Sequence, residues 1–548
     1  MLAACGAPPA PPAKPVVVER PMPKLLAPMP ADPGARGAAY LAQVALRLQP
    51  GWGQFLDDCR LRLPESHPLN RLELAARIEL EIDGAGRITD VQLATSGNPD
   101  FDRAVRDALA DASPLPAPPP DLMSDDDRVH VRWLFARDRR QAGPATAEVA
   151  FVELPLGGVI EYWLDNHELA RAARRIATAP PDDVRTAAIQ ALALAVLEEA
   201  FRKTEDAGVR AALDAVRAAK LRELAGDVHG FLAPTFDADL RRSAIATIRA
   251  LNDTGAVSEL ARHLAEDLHT QLAAAEAAAL VSLGSGQVAA TALAAALDTP
   301  GDPDPVALEA AGSVAVPQLA HRLAGWSARG DARTRAGVCA VAPLADPAHA
   351  ARWIDAGLRD ADATVRARCA EAAGVHGIKP ALPRLRELTR DRDRTVRARA
   401  VTAIAAVYPA HLPHLADDPA GEVRAAYAAA LATDSAELRA LADDRDAEVR
   451  AAAWAALVAA GVHDAGARAV HDPSPEVRRA AVPALPDDVV ERLASADDSP
   501  DVRGAALVEW ARRRGRTASE PVLLARIAET QRGSPDRVAA ALAWLLAR

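Results

Sequence analysis

Serines, histidines and carboxylates are the side chains from which this chain would build a catalytic centre, and their spacing does not assemble one. Ser285 lies between Gly284 and Gly286, whereas a nucleophile elbow needs Gly-x-Ser-x-Gly on a strand-to-helix turn. Apolar helical runs on both sides make this segment a turn between helices. His411 and His414 share a helix face at three-residue spacing, but a metal site needs further ligands and none accompanies them. The paired carboxylates Asp443-Asp444 and Asp497-Asp498 fall in turns, where acidic residues cap helices and confer solubility. No GxxxxGK(S/T) phosphate loop, GxGxxG fingerprint or HExxH pair occurs. The expectation is a chain with no catalytic residue, no cofactor and no metal, and therefore not an enzyme.

Arginine is the residue that recurs in a fixed neighbourhood. A turn carrying acid or proline, then Val-Arg, then an Ala-rich run appears at Val184-Arg185, Val209-Arg210, Thr334-Arg335, Val365-Arg366, Val396-Arg397, Val423-Arg424, Val449-Arg450, Val477-Arg478 and Val502-Arg503. From residue 334 onward the steps are 31, 31, 27, 26, 28 and 25 residues, and helical periods of about 20 to 50 mark solenoids. Asp or Ser at the turn caps the helix and complements its positive end. Val is expected to point inward, and Arg to reach a carboxylate of the preceding repeat. Arg185, Arg366, Arg397, Arg424, Arg450, Arg478 and Arg503 then form a structural ladder; the competing reading makes Arg366, Arg397, Arg424, Arg450 and Arg478 a binding surface for an acidic partner.

Each unit is expected to hold two short helices, for example Val396 to Val407 and Leu412 to Ala416. One pair cannot bury its apolar face, so neighbours must stack. Residues 240–330 have weaker phrases but keep the Ala/Leu periodicity, as degenerate repeats would. The pattern resembles the short HEAT repeats of bilin-lyase-like proteins over more than half the chain. The resemblance implies a mainly α fold, an α-solenoid of HEAT-like repeats that binds macromolecules. A bilin-attaching activity, which it also brings to mind, would need an aromatic-lined cleft, and aromatics are 3% of the residues.

Nearer the N-terminus the period changes. Tyr40, Val44 and Leu48 mark a helix expected to end near Pro50-Gly51. Ile78, Leu80 and Ile82 alternate with charged residues, the chain reverses at Asp83-Gly84-Ala85-Gly86, and Val91 and Leu93 resume the alternation, as in a β-hairpin. Phe101, Val105 and Leu109 mark a second helix, and Val129, Val131, Trp133 and Phe135 a last strand. This α-β-β-α-β order, with Ser96-Gly97 after the second strand and Phe101-Asp102 opening the helix, resembles the C-terminal domain of TonB and TolA. The resemblance implies a small α/β domain that binds a protein partner in the periplasm.

Cysteine bears on location. Leu2-Ala3-Ala4-Cys5-Gly6 resembles the lipobox of bacterial lipoproteins, which implies that Cys5 is lipidated. A signal peptide spans about 15 to 30 residues, so this reading takes translation to start further upstream. Prolines crowd residues 7–33 and make an extended linker. Cys339 and Cys369 sit at nearly equivalent places in adjacent repeats; the expectation is two buried free thiols, the alternative a disulfide in an oxidising compartment.

At 548 residues the chain exceeds one hydrophobic core. Its net charge of -11 argues against general affinity for nucleic acid or anionic lipid. No uncharged apolar run of about 18 residues occurs. The expected division is a lipobox-like start and linker over 1–36, a TonB-like α/β domain over 37–140, a connector over 141–160, in which Val149, Phe151 and Glu153 offer one more strand before Gly157-Gly158, and the solenoid over 161–548, opened by a helix from Glu161. The function expected is a non-enzymatic scaffold of the cell envelope, facing the periplasm, held to the membrane only by its lipid anchor and binding protein partners rather than nucleic acid. A cytoplasmic repeat adaptor is the alternative.

Overall fold

A computed structural model describes residues 37–137, 147–202, 206–462 and 469–547. Cys5 and the proline-rich linker lie outside the described residues. The chain divides into two compact units, Met1–Glu161 and Tyr162–Arg548.

In the first unit, helix α1 (Ala38–Arg62) continues past Pro50 instead of ending there. The apolar stripe explains the difference: Tyr40, Val44, Leu48, Trp52, Leu56 and Cys59 are all buried, so the face continues past the proline. The lost backbone bond would have involved Leu46, which is 70% exposed, so the proline lies on the solvent side of the helix, where losing one bond costs least. Strands β1 (Ala75–Asp83) and β2 (Ile88–Ala94) form the hairpin, with Leu80 opposite Val91. Helix α2 (Pro99–Ala112) follows, capped by the Asn98 side chain. Strand β3 (Arg128–Ala136) then lies antiparallel to β1.

The segment expected to be a connector contributes structure of its own. Glu148–Ala150 forms strand β4 against β3, and a helix begins at Leu156. The sheet order is β2-β1-β3-β4. Ala76, Ile78, Leu80 and Ile82 bury one face of β1 under the helices, and Trp52 meets Phe101 and Phe135 edge-on. Aromatic pairs at such angles are favourable beyond the area they bury.

The second unit is built of paired helices. Their leading members neighbour one another in sequence order: Asp206–Ala219, Ala238–Leu251, Ala273–Ser282, Pro305–Ala311, Ala332–Ala345, Ala363–Val375, Arg394–Val407, Gly421–Ala430, Ala447–Ala459, Pro475–Ala481 and Pro500–Arg514. The region expected to be degenerate, 240–330, keeps the same pairing. Alanine at contact positions lets backbones approach closely; a Cβ on Gly374 would sit 2.8 Å from the Ala403 backbone.

The stack does not end open. Pro535–Leu546 packs on Pro500–Arg514 and also on Asp206–Ala219 and Asp183–Arg202, while Arg516–Glu529 packs on Leu169–Thr178. The last repeat therefore covers the first, and the repeat unit closes on itself. Its terminal helices need no separate polar caps, which open solenoids require.

One expected element is missing. Leu412 to Ala416 is not helical; the chain makes a 3-10 turn over Pro409–His411 and continues without regular structure.

Candidate binding surfaces

The Val-Arg phrase works through a repeated local geometry. The turn aspartate caps the helix: Asp362 accepts from the Thr364 N–H, Asp393 from Thr395 and Val396, and Asp446 from Glu448. Val365, Val396, Val423, Val449, Val477 and Val502 are buried. Each arginine folds back to donate to carbonyls of its own turn and stretches forward to the aspartate that opens the following turn. Arg366 donates to Asp360 O and to both carboxylate oxygens of Asp391 at 2.8 and 2.9 Å. Arg397 grips Asp418, Arg424 grips Asp444, Arg450 grips Asp472 and Arg478 grips Asp497 in the same bidentate way. Arg335 does so with Asp360, and Arg503 with Asp536.

The direction corrects the expectation of a carboxylate in the preceding repeat. The acceptor belongs to the next one, because that aspartate also accepts a backbone N–H of its own turn, as Asp391 does from Asp393. One carboxylate thus joins two repeats. Hydrogen bonds from Arg424 hold the Asp444 carboxyl below its ordinary range against the opposing effect of burial. Burial acts against ionisation of Asp391 too, and Arg366 together with the Asp393 N–H outweighs it.

Arg185 departs from the pattern. Val184 is 51% exposed, and Arg185 pairs with Glu520 at 3.2 Å across the closing seam. At the same seam Arg537, 3% exposed, donates to Glu199 at 2.9 Å and to Thr530 O, and a Cβ on Gly208 would fall 2.1 Å from Gly533 O. None of these contacts has a sequence spacing that betrays it.

Cys339 and Cys369 are joined as a disulfide, with Cα atoms 5.0 Å apart, which corrects the expectation of free thiols. Gly357 makes room, since a Cβ there would lie 2.1 Å from the Cys369 sulfur. Among the described residues Cys59 is a buried free cysteine, its thiol pushed up by burial.

The remaining candidates are scattered. His411 lies in the 3-10 turn and His414 beyond it, so they do not share a helix face; His414 contacts Asp417 and Glu437, which raise its pKa. Ser285 precedes the Gly286–Leu297 helix, a turn as expected. A cavity of about 340 Å³ is lined by Asp443, Asp444, Arg450, Trp454, Asp472 and Pro473, but the Asp444 and Asp472 carboxylates are held by ladder arginines. Among the described residues no group of His, Cys, Asp and Glu is placed to hold a metal ion, and no helix is long and apolar enough to cross a membrane.

In the first unit, Asp102 fixes the entry to α2. Its buried carboxylate accepts from the Thr95 hydroxyl and the Ser96 N–H. Burial alone would raise its pKa; these bonds hold it below the usual value. They tie the end of β2, an edge strand of the four-stranded sheet, to the helix beneath it.

Comparison with known families follows this division. Residues 37–132 match the family described as TonB C terminal, and residues 350–432 match HEAT repeats. The chain carries a TonB-like domain followed by HEAT repeats. A search of the curated proteins found no match. A solved structure described as the crystal structure of an engineered protein is 16% identical, over 68% of this chain and 98% of that one, at a TM-score of 0.23. The TonB-like and HEAT segments are both of kinds that mediate protein–protein interaction.

Proposed function

We propose that this chain is a non-enzymatic protein-binding scaffold of the bacterial cell envelope, anchored through a lipid on Cys5 and facing the periplasm. The observation that carries the proposal is the presence on one chain of a TonB-like domain and HEAT repeats. The sheet of the first unit ends in β2, and a strand edge is a template for pairing with an extended peptide. The TonB resemblance implies that use. The disulfide between Cys339 and Cys369 supports an oxidising compartment, where such bonds persist.

The test is intact mass spectrometry of the mature protein from its native host, with membrane fractionation and in-cell cross-linking. An acylated Cys5 N-terminus, a membrane-bound pool and cross-links to periplasmic proteins are the expected result. An unmodified, soluble protein cross-linked to cytoplasmic partners would replace the proposal by a cytoplasmic adaptor. Turnover of a substrate, lost on one polar substitution in a single cleft, would end the non-enzymatic reading.

A further inference from the structure

Charge is not spread evenly over the repeats. Residues 379–399 contain eight Lys and Arg against three Asp and Glu, in a chain whose net charge is -11. Ladder arginines are buried in pairs, and in and beside this stretch the half-buried Arg384 and the exposed Arg359 and Arg394 have carboxylate partners. Arg386, Arg390 and Arg392 are exposed and their side chains make no hydrogen bond or ion pair among the described residues, Arg392 acting on Asp391 only through its field. Arg386 lies on the Leu382–Leu388 helix, and Arg390 follows four residues later, where the backbone still turns helically through the Arg390 N–H to Glu387 O bond. Residues four apart on a helical turn share a face. Arg392 extends the patch along the turn that leads to Asp393 and the next helix.

The neighbouring repeats define its limits. Arg359 stands one 31-residue step before Arg390 and lies within electrostatic reach of Glu387, so it flanks the patch. One step in the other direction, 27 residues on, the equivalent place is Asp417, whose side chain is 95% exposed. A polyanion running along several repeats would meet that carboxylate. A short acidic segment would not.

We infer that Arg386, Arg390 and Arg392, flanked by Arg359, form a docking surface for a short acidic peptide segment of a protein partner. Adjacent packed helices lie about 8–10 Å apart and an extended peptide advances about 3.3 Å per residue. Carboxylates three residues apart therefore match one repeat step. Arginine suits this task because its planar fork pairs with a carboxylate through two hydrogen bonds. The inference rests on the scaffold reading and gives that scaffold one of its partner chemistries.

The experiment uses the full chain and a labelled six-residue peptide of two Asp-Gly-Ser units, whose carboxylates span one repeat step, followed by fluorescence anisotropy at low and at physiological salt. Saturable binding that weakens with salt is expected. The charge-reversed variant Arg386→Glu, Arg390→Glu, Arg392→Glu should bind about tenfold or more weakly, with an unchanged melting curve. Arg479→Glu, an exposed arginine in another repeat, should bind as the wild type does. Equal loss in the control, or no loss in the triple variant, overturns the docking surface. An oligo-dT of equal charge that binds more tightly through the same arginines overturns it in favour of nucleic acid. Cross-linking in the native host separates the two levels: partners retained by the triple variant remove the patch and leave the scaffold, whereas a wild type without partners removes the scaffold.

Discussion

Arg537 donates to Glu199 at 2.9 Å across 338 residues of sequence, with both side chains almost wholly buried. This pair joins the last repeat to the first. Breaking a buried pair leaves one charge uncompensated and costs about 3–5 kcal/mol. Glu199→Ala and Arg537→Ala should each destabilise the repeat unit by about that amount in urea denaturation, whereas the double variant Glu199→Met, Arg537→Leu should recover most of it. Single variants within about 1 kcal/mol of wild type would show that the seam does not bear on global stability.

Closure was not legible in the sequence, and the reason is physical. A ladder rung is local: Arg424 needs an aspartate about 20 residues ahead, and every repeat presents the same need, so spacing reveals it. Arg185 carries the same phrase, yet its partner is Glu520, and nothing in a repeat period encodes that distance. The α-β-β-α-β order was readable because the alternation along β1 and β3 is regular. Val149, Phe151 and Glu153 offer a strand, and Glu148–Ala150 forms one, but Pro50 reads as a helix end unless Trp52 and Leu56 are seen to continue the buried face. Cys339 and Cys369 were readable as neighbours, but their bonding was not. The unpaired state of Arg386, Arg390 and Arg392 was also hidden, since the sequence shows the same residue type whether or not it has a partner.

Gly208 gives a second test of the seam. Its added Cβ would lie 2.1 Å from a backbone oxygen, that of Gly533, and a backbone atom cannot swing aside as a side chain can. Gly208→Ala should destabilise by about 1–3 kcal/mol, as overpacking does, despite alanine's better helix propensity. Faster hydrogen exchange over 535–546 should accompany it. Exchange unchanged there, with stability raised by the helix-propensity gain, would refute close packing at this point.

The ladder predicts behaviour in acid. Asp360, Asp391, Asp418, Asp444, Asp472 and Asp497 all have carboxyl pKa values lowered in the fold. A depressed folded pKa contributes stability that is present above the unfolded value of about 3.9 and lost as pH falls through the folded value. Stability should therefore drop steeply below about pH 4, and Asp444→Asn should reduce that drop while lowering stability at neutral pH. Measuring unfolding free energy from pH 6 to pH 3 checks this. A profile that is flat through that range would mean that the rungs are not ionised pairs.

Glu276 has the opposite sign. Its side chain is fully buried and its pKa is pushed up to about 8, first by burial and then by Asp267, against the lowering effect of Arg241. Arg241 contacts both carboxylates, and Glu276 Oε2 has no hydrogen-bond partner among the described residues. The folded state favours the protonated form, so it binds more protons than the unfolded chain between about pH 4.5 and pH 8. Stability from this group consequently falls as pH rises through that window and levels off above it. Glu276→Gln keeps the shape, removes the titration and leaves Arg241 paired with Asp267. The variant should be less pH-dependent than wild type and more stable above pH 8, the gap closing as pH falls toward 4.5. Urea denaturation at pH 5, 7 and 9 reads the difference directly, and a variant less stable than wild type at pH 9 would mean that Glu276 works as an ionised partner of Arg241.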